Sequence, residues 1–266
     1  MDEPAVGGEG FRWELTPADY QEMAGRMPAH ALQEACLRQR LGDLRGCSVL
    51  DLACGTGYYT RRLKRWGAAR TVGVDVSEDT IDYARKEEEA EPLGIEYRVA
   101  DILRLSGFDT FDRVTAAFVL HLARDRDELI AMLRAAFDLL APGGVFIASL
   151  PDPETAAPTS PDGFLEKYGY EMRPADTPLR EFSRIHARLS GGGTVMAYDY
   201  FWVPWATYEE AFRAAGFSSW RREPWVVPPE LEQRWPPGFW DEYSAALSLA
   251  HFIGTSTTPA AHDDIQ

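Results

Sequence analysis

The chain predicts an α/β fold, a Rossmann-like doubly wound sheet, and three observations carry that reading. Short apolar runs alternate with helical stretches between residues 48 and 150. A glycine-rich turn, Gly55-Thr56-Gly57, follows the first apolar run. An acid stands in or just after each of the first three runs: Asp51, Asp75 and Asp101. Strand and helix in alternation are the grammar of parallel strands joined by crossover helices. The 266 residues read as one elaborated domain with its own core. Its parts are a helical cover over 11–45, a ligand-binding core over 46–150, a lid and hairpin insertion over 151–205, the end of the sheet over 206–254 and a tail over 255–266.

Residues 1–10 read as a loose tail. Over 16–44 the apolar positions Met23, Met27, Ala31, Leu32, Ala35 and Leu41 recur at mainly helical intervals broken by Pro28, which predicts one or two helices. The run 48–53 reads as a buried parallel strand that feeds the glycine turn and a helix over 58–66. A second strand follows over 70–75, and Ser77, with Glu78 and Asp79 behind it, caps a helix that stops before Pro92. The Pro92-Leu93-Gly94 turn leads to a third strand over 95–100. A fourth strand spans 111–117, a helix 128–140, and Pro142-Gly143-Gly144 turns into a fifth strand over 145–150. After Pro151 the pattern changes. A proline-rich stretch to Pro178 reads as a lid or insertion, and runs 180–189 and 194–203 flank Ser190-Gly191-Gly192-Gly193 as a hairpin. A helix over 208–215, strands over 217–227 and 247–254, and a disordered tail complete the expectation.

Lys and Arg number 27 against 42 Asp and Glu, a formal charge of −15. That field repels phosphate backbones and anionic membrane surfaces, which argues against nucleic acid and membrane as partners. No apolar run reaches membrane-spanning length, and Met1-Asp2-Glu3-Pro4 is acidic where a signal peptide is basic, so a cytoplasmic location is expected. Cys36, Cys47 and Cys54 make neither an even disulfide framework nor a Cys-x-x-Cys pair, in keeping with a reducing compartment.

Asp51-Leu52-Ala53-Cys54-Gly55-Thr56-Gly57 is the most informative segment. A glycine turn after the first strand brings a ligand to backbone amides at a helix N-terminus. A dinucleotide fingerprint would put its third glycine at Thr60, and a phosphate-binding loop would need Lys-Ser/Thr where Tyr58-Tyr59-Thr60 stand. Asp51 supplies the sign: a carboxylate there opposes a pyrophosphate and suits a ligand with positive groups, such as the ammonium and sulfonium of S-adenosylmethionine (SAM). Asp75 is placed to accept both ribose hydroxyls, and Asp101 to meet the adenine amino group between the apolar walls of Val76 and Ile102. Singly, each acid has a structural reading as helix-dipole partner, strand-end acid or turn residue; the three together with the glycine loop select the ligand site.

The segments 49–57, Val74-Asp75-Val76-Ser77, Ala100-Asp101 and Leu140-Ala141-Pro142-Gly143-Gly144 resemble the successive motifs of the class I SAM-dependent methyltransferases, over about residues 45–150. More narrowly, Tyr58-Tyr59-Thr60-Arg61, Gly67-Ala68-Ala69 and residues 91–97 resemble the toxoflavin-type azapteridine N-methyltransferases. The resemblance implies a seven-stranded sheet in the order 3-2-1-4-5-7-6 with only strand 7 antiparallel, and N-terminal helices over the cofactor, with Tyr20 at its methionine end. It implies cofactor contacts from Tyr20, Asp51, Ala53, Gly55, Thr56, Gly57, Asp75, Val76, Ala100, Asp101, Ile102, Ala117 and Phe118.

A methyl on a sulfonium is already activated, so the protein chiefly aligns donor and acceptor and excludes water. His121, just after the fourth strand, is the candidate base, because that strand end faces the transferred methyl in this fold; its other reading is a wall residue. Six of eight tryptophans fall between 202 and 240, and the expected acceptor pocket comprises Tyr58, His121, Tyr168, Tyr198 and Trp202. His186 and His251 read as packing residues. Ala116-Ala117-Phe118-Val119 lacks the Asp/Asn-Pro-Pro-aromatic grip on a flipped base, and no acid cluster suggests a metal. The expected acceptor is a small aromatic heterocycle, methylated at N or O in natural-product biosynthesis, by a monomer or homodimer. A noncatalytic SAM-binding partner is the second reading.

Overall fold

The computed structural model describes residues 15–153 and 159–256. The expectation for 1–10 and nearly all of that for the tail lie outside them. Thr16 caps α1 (Pro17–Arg26), its hydroxyl accepting the Asp19 amide at 3.2 Å. Pro28 then holds Met27 extended and opens α2 (Pro28–Leu41), so the helical cover is two helices and not one. The chain continues through β1 (Ser48–Leu52), α3 (Tyr58–Arg65), β2 (Arg70–Asp75), α4 (Glu78–Ala90), β3 (Ile95–Val99), β4 (Phe111–Ala117), α5 (Arg126–Asp138) and β5 (Leu140–Pro151). The insertion supplies α6 (Phe164–Tyr168), β6 (Tyr170–Pro174), β7 (Ser183–Gly191) and β8 (Thr194–Trp202). It is followed by α7 (Trp205–Ala215), β9 (Ser219–Pro224), α8 (Pro229–Glu232), α9 (Phe239–Ala246) and β10 (Leu249–Thr255).

The main sheet has seven strands in the order β3-β2-β1-β4-β5-β10-β9. β10 runs antiparallel to both its neighbours, and the pairs within β3-β2-β1-β4-β5 are parallel. With β9 and β10 taken as strands 6 and 7, this is the expected order. Period-two alternation divides the core between the faces. Leu50, Phe146 and Phe252 pack on Leu129 and Leu133 of α5 and Phe212 of α7. Their neighbours Val49, Ile147 and Ile253 pack on Leu37 and Leu41 of α2 and Leu63 of α3. Each loop at the C-terminal ends of β1, β2, β3 and β4 therefore opens on one edge, where ligands bind in open α/β sheets.

The segment expected to be a lid or insertion forms regular structure over Phe164–Tyr168 and Tyr170–Pro174. β6 pairs antiparallel with β7 and β7 with β8, a three-stranded sheet where a two-stranded hairpin was expected. Its apolar face, with Met172, Ile185, Leu189 and Met196, packs with Met23 and Met27 of the cover helices and with Trp240 and Tyr243 of α9. β5 starts at Leu140, because Pro142-Gly143-Gly144 lies within an irregular pairing with β4 and not before the strand. β9 is shorter than the expected 217–227. The helices α8 and α9 were not foreseen, because Pro236 and Pro237 obscure the helical spacing of Phe239, Trp240 and Tyr243.

Candidate active site

A cleft with about 1480 Å³ of empty space, its open mouth included, lies over the C-terminal edge of β1, β2, β3 and β4. One half is lined by Asp51, Ala53, Cys54, Gly55, Asp75, Val76, Ser77, Ala100, Asp101, Ile102 and Ala117. The other is lined by Met27, Phe118, Val119, Leu122, Pro151, Leu189, Met196, Leu247 and Leu249, with Tyr170 and Tyr198. Tyr20, His30, Tyr58 and Tyr59 also line the cleft, from the cover helices and α3. No lysine or arginine is among the described lining residues, so its fixed charge is carried by three aspartates.

The glycine turn is built by backbone geometry. Ala53 (φ 53°), Gly55 (φ 53°) and Gly57 (φ 79°) take left-handed conformations, and a Cβ on Gly55 would point into open space. Phe118, at the end of β4, has φ 58°. Ala53 and Phe118 are two of the three non-glycine residues with positive φ among the described residues, and both line the cleft. Strain of this kind, costing on the order of 1–3 kcal/mol per residue, concentrates at binding sites. Gly57 begins α3, and a Cβ there would stand 2.4 Å from the Tyr97 hydroxyl. Gly57→Ala is therefore expected to destabilise the protein by about 1–3 kcal/mol, read as a lower urea midpoint. A loss below about 0.5 kcal/mol would show that Tyr97 moves aside.

Asp75 is fixed by the turn that it shapes: its Oδ2 accepts the Gly55 amide at 2.8 Å and its Oδ1 the Ser77 amide at 2.9 Å. Burial pushes its carboxyl up from the usual range, against the pull of the Ser77 and Gly55 amides. Each oxygen keeps a lone pair for a ligand hydroxyl. Asp51, almost wholly buried, accepts the Thr60 hydroxyl at 2.7 Å and the Thr115 hydroxyl at 2.8 Å. Burial raises its carboxyl to about 6 against the two hydroxyls, and the charge of Asp75 adds to the rise. Asp101 caps the short 3-10 turn at Ile102–Arg104, Oδ1 accepting the Leu103 amide at 3.0 Å. Val76, beside it, is 42% exposed, an apolar side chain left open on the cleft wall. Tyr20 is pushed up to about 12 by burial, with Tyr58 and Asp75 as further causes, and so stays a neutral hydroxyl beside the Asp75 carboxylate.

Eleven of the thirteen expected cofactor residues line this cleft. Thr56 and Gly57 do not. Thr56 is buried behind the turn, where its hydroxyl donates to Gln21 Oε1 at 2.7 Å and ties α1 to the glycine loop. Of the expected acceptor residues, Tyr58 and Tyr198 line the cleft and three lie elsewhere. Tyr168 is buried under α9, its ring 4.4 Å from Phe164 and 4.8 Å from Phe239. Trp202 and His121 border a small separate cavity with Asp152, Tyr200 and Tyr208. The positive φ at Phe118 turns the chain so that Phe118, Val119 and Leu122 face the cleft, while His121 faces the Tyr200 ring at 5.1 Å. Neither ring nitrogen of His121 has a hydrogen-bond partner, and burial holds it down to about 3. His121 thus borders the second cavity and not the cleft in which a base was expected. Among the described residues no group of three or more His, Cys, Asp or Glu is arranged to hold a metal ion, and no helix is long and apolar enough to cross a membrane. The cleft histidine is His30, on α2, which the sequence reading passed over because the stretch was read only for its apolar spacing.

Residues 49–144 match the family described as methyltransferase domain. Over 215 residues the chain is 29% identical to a demethylmenaquinone methyltransferase of Lactococcus lactis, covering 75% of this chain and 78% of that one. It is 33% identical over 138 residues to a ubiquinone biosynthesis O-methyltransferase of Methylocella silvestris, covering 51% of this chain and spanning 52% of that protein's length. A SAM-dependent methyltransferase from Mesorhizobium loti shares the fold, with TM-score 0.60 and 22% identity over 86% of this chain and 99% of that one.

The methyltransferase domain matched over residues 49–144, the methyltransferase relatives and the shared Rossmann-like fold support a SAM-dependent methyltransferase. Its cofactor, SAM, carries an ammonium and a sulfonium, and the residues present fit it: three carboxylates with no opposing cation, a glycine turn open to a close approach, and an exposed apolar wall at Val76.

Proposed function

We propose that the protein transfers the SAM methyl group to an N–H or O–H of a flat aromatic small molecule. The observation that carries this reading is the composition of the cleft beyond the aspartates, where aliphatic, methionine and aromatic side chains enclose the space next to Tyr20 and Phe118. Such a wall favours burial of an aromatic face, while a polyhydroxylated sugar would leave its hydroxyls unpaired there. SAM, when bound, supplies a methyl on a positively charged sulfur that leaves as a neutral thioether. The chain's own residues do the rest: Asp75 and Asp101 orient the nucleoside, Asp51 balances positive charge, and the cover helices with the β6-β7-β8 sheet close the acceptor side to water.

An azaheterocycle of the toxoflavin type is a member of this acceptor class. The three stretches that resemble that subgroup build scaffold as well as wall. Tyr58 lines the cleft, whereas Arg61 is buried in ion pairs with Glu88 and Glu91 at 2.8 and 3.0 Å, joining α3 to the turn after α4. The proposal therefore leans on the cleft and not on those stretches. Its test is a panel of a naphthol, an azapteridine and an amino sugar, each offered with methyl-labelled SAM and followed by mass spectrometry. Label in the naphthol or the azapteridine is the expected result. Label in the amino sugar alone, or in none of the three, overturns the aromatic reading; NAD raising the melting temperature where S-adenosylhomocysteine does not would overturn the cofactor site.

A further inference from the structure

The geometry points to His30 as the catalytic base, the group whose Nε2 takes the proton from the acceptor as the methyl arrives. This inference rests on the acceptor reading above and adds the residue that it lacked when His121 proved to face away.

His30 is the one histidine among the described cleft-lining residues. A hydrogen-bond chain sets its tautomer. The Tyr59 hydroxyl donates to Gln33 Oε1 at 2.6 Å, which leaves the Tyr59 oxygen to accept from His30 Nδ1 at 2.6 Å. With Gln33 Oε1 turned to Tyr59, as the structure has it, Nδ1 carries the proton and Nε2 keeps its lone pair. Gln33 and Tyr59 are both buried, so water does not compete for the chain. Nε2 has no hydrogen bond among the described residues, and it is not among the ring nitrogens sealed away from solvent, as both nitrogens of His121 and His251 are. Four aromatic rings hold the imidazole plane: Tyr59 stacks at 5.7 Å, and Tyr58, Phe118 and Tyr20 stand edge-on at 5.4, 6.3 and 6.4 Å. Tyr20 and Phe118 line the same cleft as His30, whose walls carry both the aspartates and the apolar side chains.

The other titratable groups of the cleft are engaged or neutral. Asp51, Asp75 and Asp101 each accept hydrogen bonds from the protein on the cofactor side. Burial holds the Tyr20, Tyr58, Tyr59, Tyr170 and Tyr198 hydroxyls and the Cys54 thiol above their ordinary values, so none offers an anion near neutral pH. His30 itself is lowered to about 4 by burial, with the Arg62 guanidinium as the second cause, and is a neutral imidazole at pH 7. In the step, the acceptor's X–H bond breaks toward Nε2 while its electron pair forms the new X–CH3 bond. The S–CH3 bond breaks with its pair retained on sulfur. The imidazolium formed is stabilised by its Nδ1–H bond to Tyr59 and releases its proton to water when product leaves.

The experiment has two arms. In the first, the intact protein is labelled with 15N-histidine and its ring nitrogens are read by NMR at pH 7.5. His30, identified by its loss in His30→Gln, is expected to show a protonated Nδ1 and a lone-pair Nε2, and the Nε2 signal is expected to move when 4-nitrocatechol is added in the presence of S-adenosylhomocysteine. A protonated Nε2, or a signal that the probe leaves in place, overturns the proposal whether or not any acceptor turns over. In the second, His30→Gln is assayed at pH 8 on catechol, which keeps its proton, and on 4-nitrocatechol, which has already lost one. The expected result is a kcat loss of about 100-fold on catechol with less than about a fivefold change on 4-nitrocatechol, and an unchanged S-adenosylhomocysteine affinity. Equal losses on both overturn the assignment in favour of a packing role. Failure of wild type to methylate either catechol overturns the hydroxyl form of the acceptor reading and leaves His30 to be decided by the NMR arm. Tyr59→Phe, a positioning variant, is expected to mix the two tautomers in the same spectra.

Discussion

Asp75→Ala is expected to weaken S-adenosylhomocysteine binding by two to three orders of magnitude, measured by isothermal titration calorimetry. On the proposed function the carboxylate accepts the two ribose hydroxyls, and it is held by the Gly55 and Ser77 amides at 2.8 and 2.9 Å. A hydrogen bond to a charged acceptor contributes about 1.5–3 kcal/mol. Two such bonds, lost together and not fully additive, correspond to about 3–4 kcal/mol, which sets the expected range. The same truncation leaves two loop amides without their acceptor, so the turn loses its anchor as well as its ligand contact. Asp75→Asn separates these effects: it keeps one carbonyl oxygen for the loop and is expected to cost only about tenfold. Wild-type affinity in both variants, with native circular dichroism, would show that Asp75 does not hold the ribose.

The sheet order came from the family resemblance, whereas the strand–helix alternation and the three strand-end aspartates were legible locally. Val49-Leu50-Asp51-Leu52 and Val74-Asp75 end strands and Ala100-Asp101 follows one, and strand ends on one edge of a parallel sheet must converge. The acceptor half is assembled from α1, α2, β4, β5, β6, β7, β8 and β10, distant in sequence, and no local pattern marks it. Tyr198, Tyr200 and Trp202 alternate along β8 as expected for one face, yet four residues of strand extend about 13 Å. Tyr198 therefore lines the cleft while Trp202 borders the second cavity. Tyr168 was read as lid because its stretch is rich in proline; five helical residues turn it instead into the aromatic cluster under α9. His121 was placed by its distance after β4, which could not reveal the turn at Phe118. His30 carries no local signal at all, since its importance comes from Tyr59 and Gln33 reaching it across the cover.

Asp51→Asn is expected to separate stability from affinity. In wild type the carboxyl is raised to about 6 by burial, despite the Thr60 and Thr115 hydroxyls that donate to it. The ammonium and sulfonium of SAM favour the ionised form, so the affinity is present above about pH 6 and lost as pH falls through it. One unit below, at pH 5, about one molecule in ten of the ligand-free protein is ionised, and SAM should bind about tenfold more weakly than at pH 7.5. Stability carries the opposite sign. A carboxyl whose folded value lies above its unfolded value binds more protons when folded, so its contribution is full below about pH 4 and is lost as pH rises through 6. At pH 7.5 the ionised Asp51 thus costs about 3 kcal/mol. Asparagine, able to accept from one threonine hydroxyl and donate to the other, removes that cost. The ligand-free variant should melt several degrees above wild type at pH 7.5, with the difference closing toward pH 4, and should bind SAM at least tenfold more weakly with no acid limb. Calorimetric melts and titrations from pH 5 to 8 decide it: an acid limb that persists in Asp51→Asn, or a variant no more stable than wild type at pH 7.5, would assign the titration to another group and leave the buried carboxylate without its role as counter-charge.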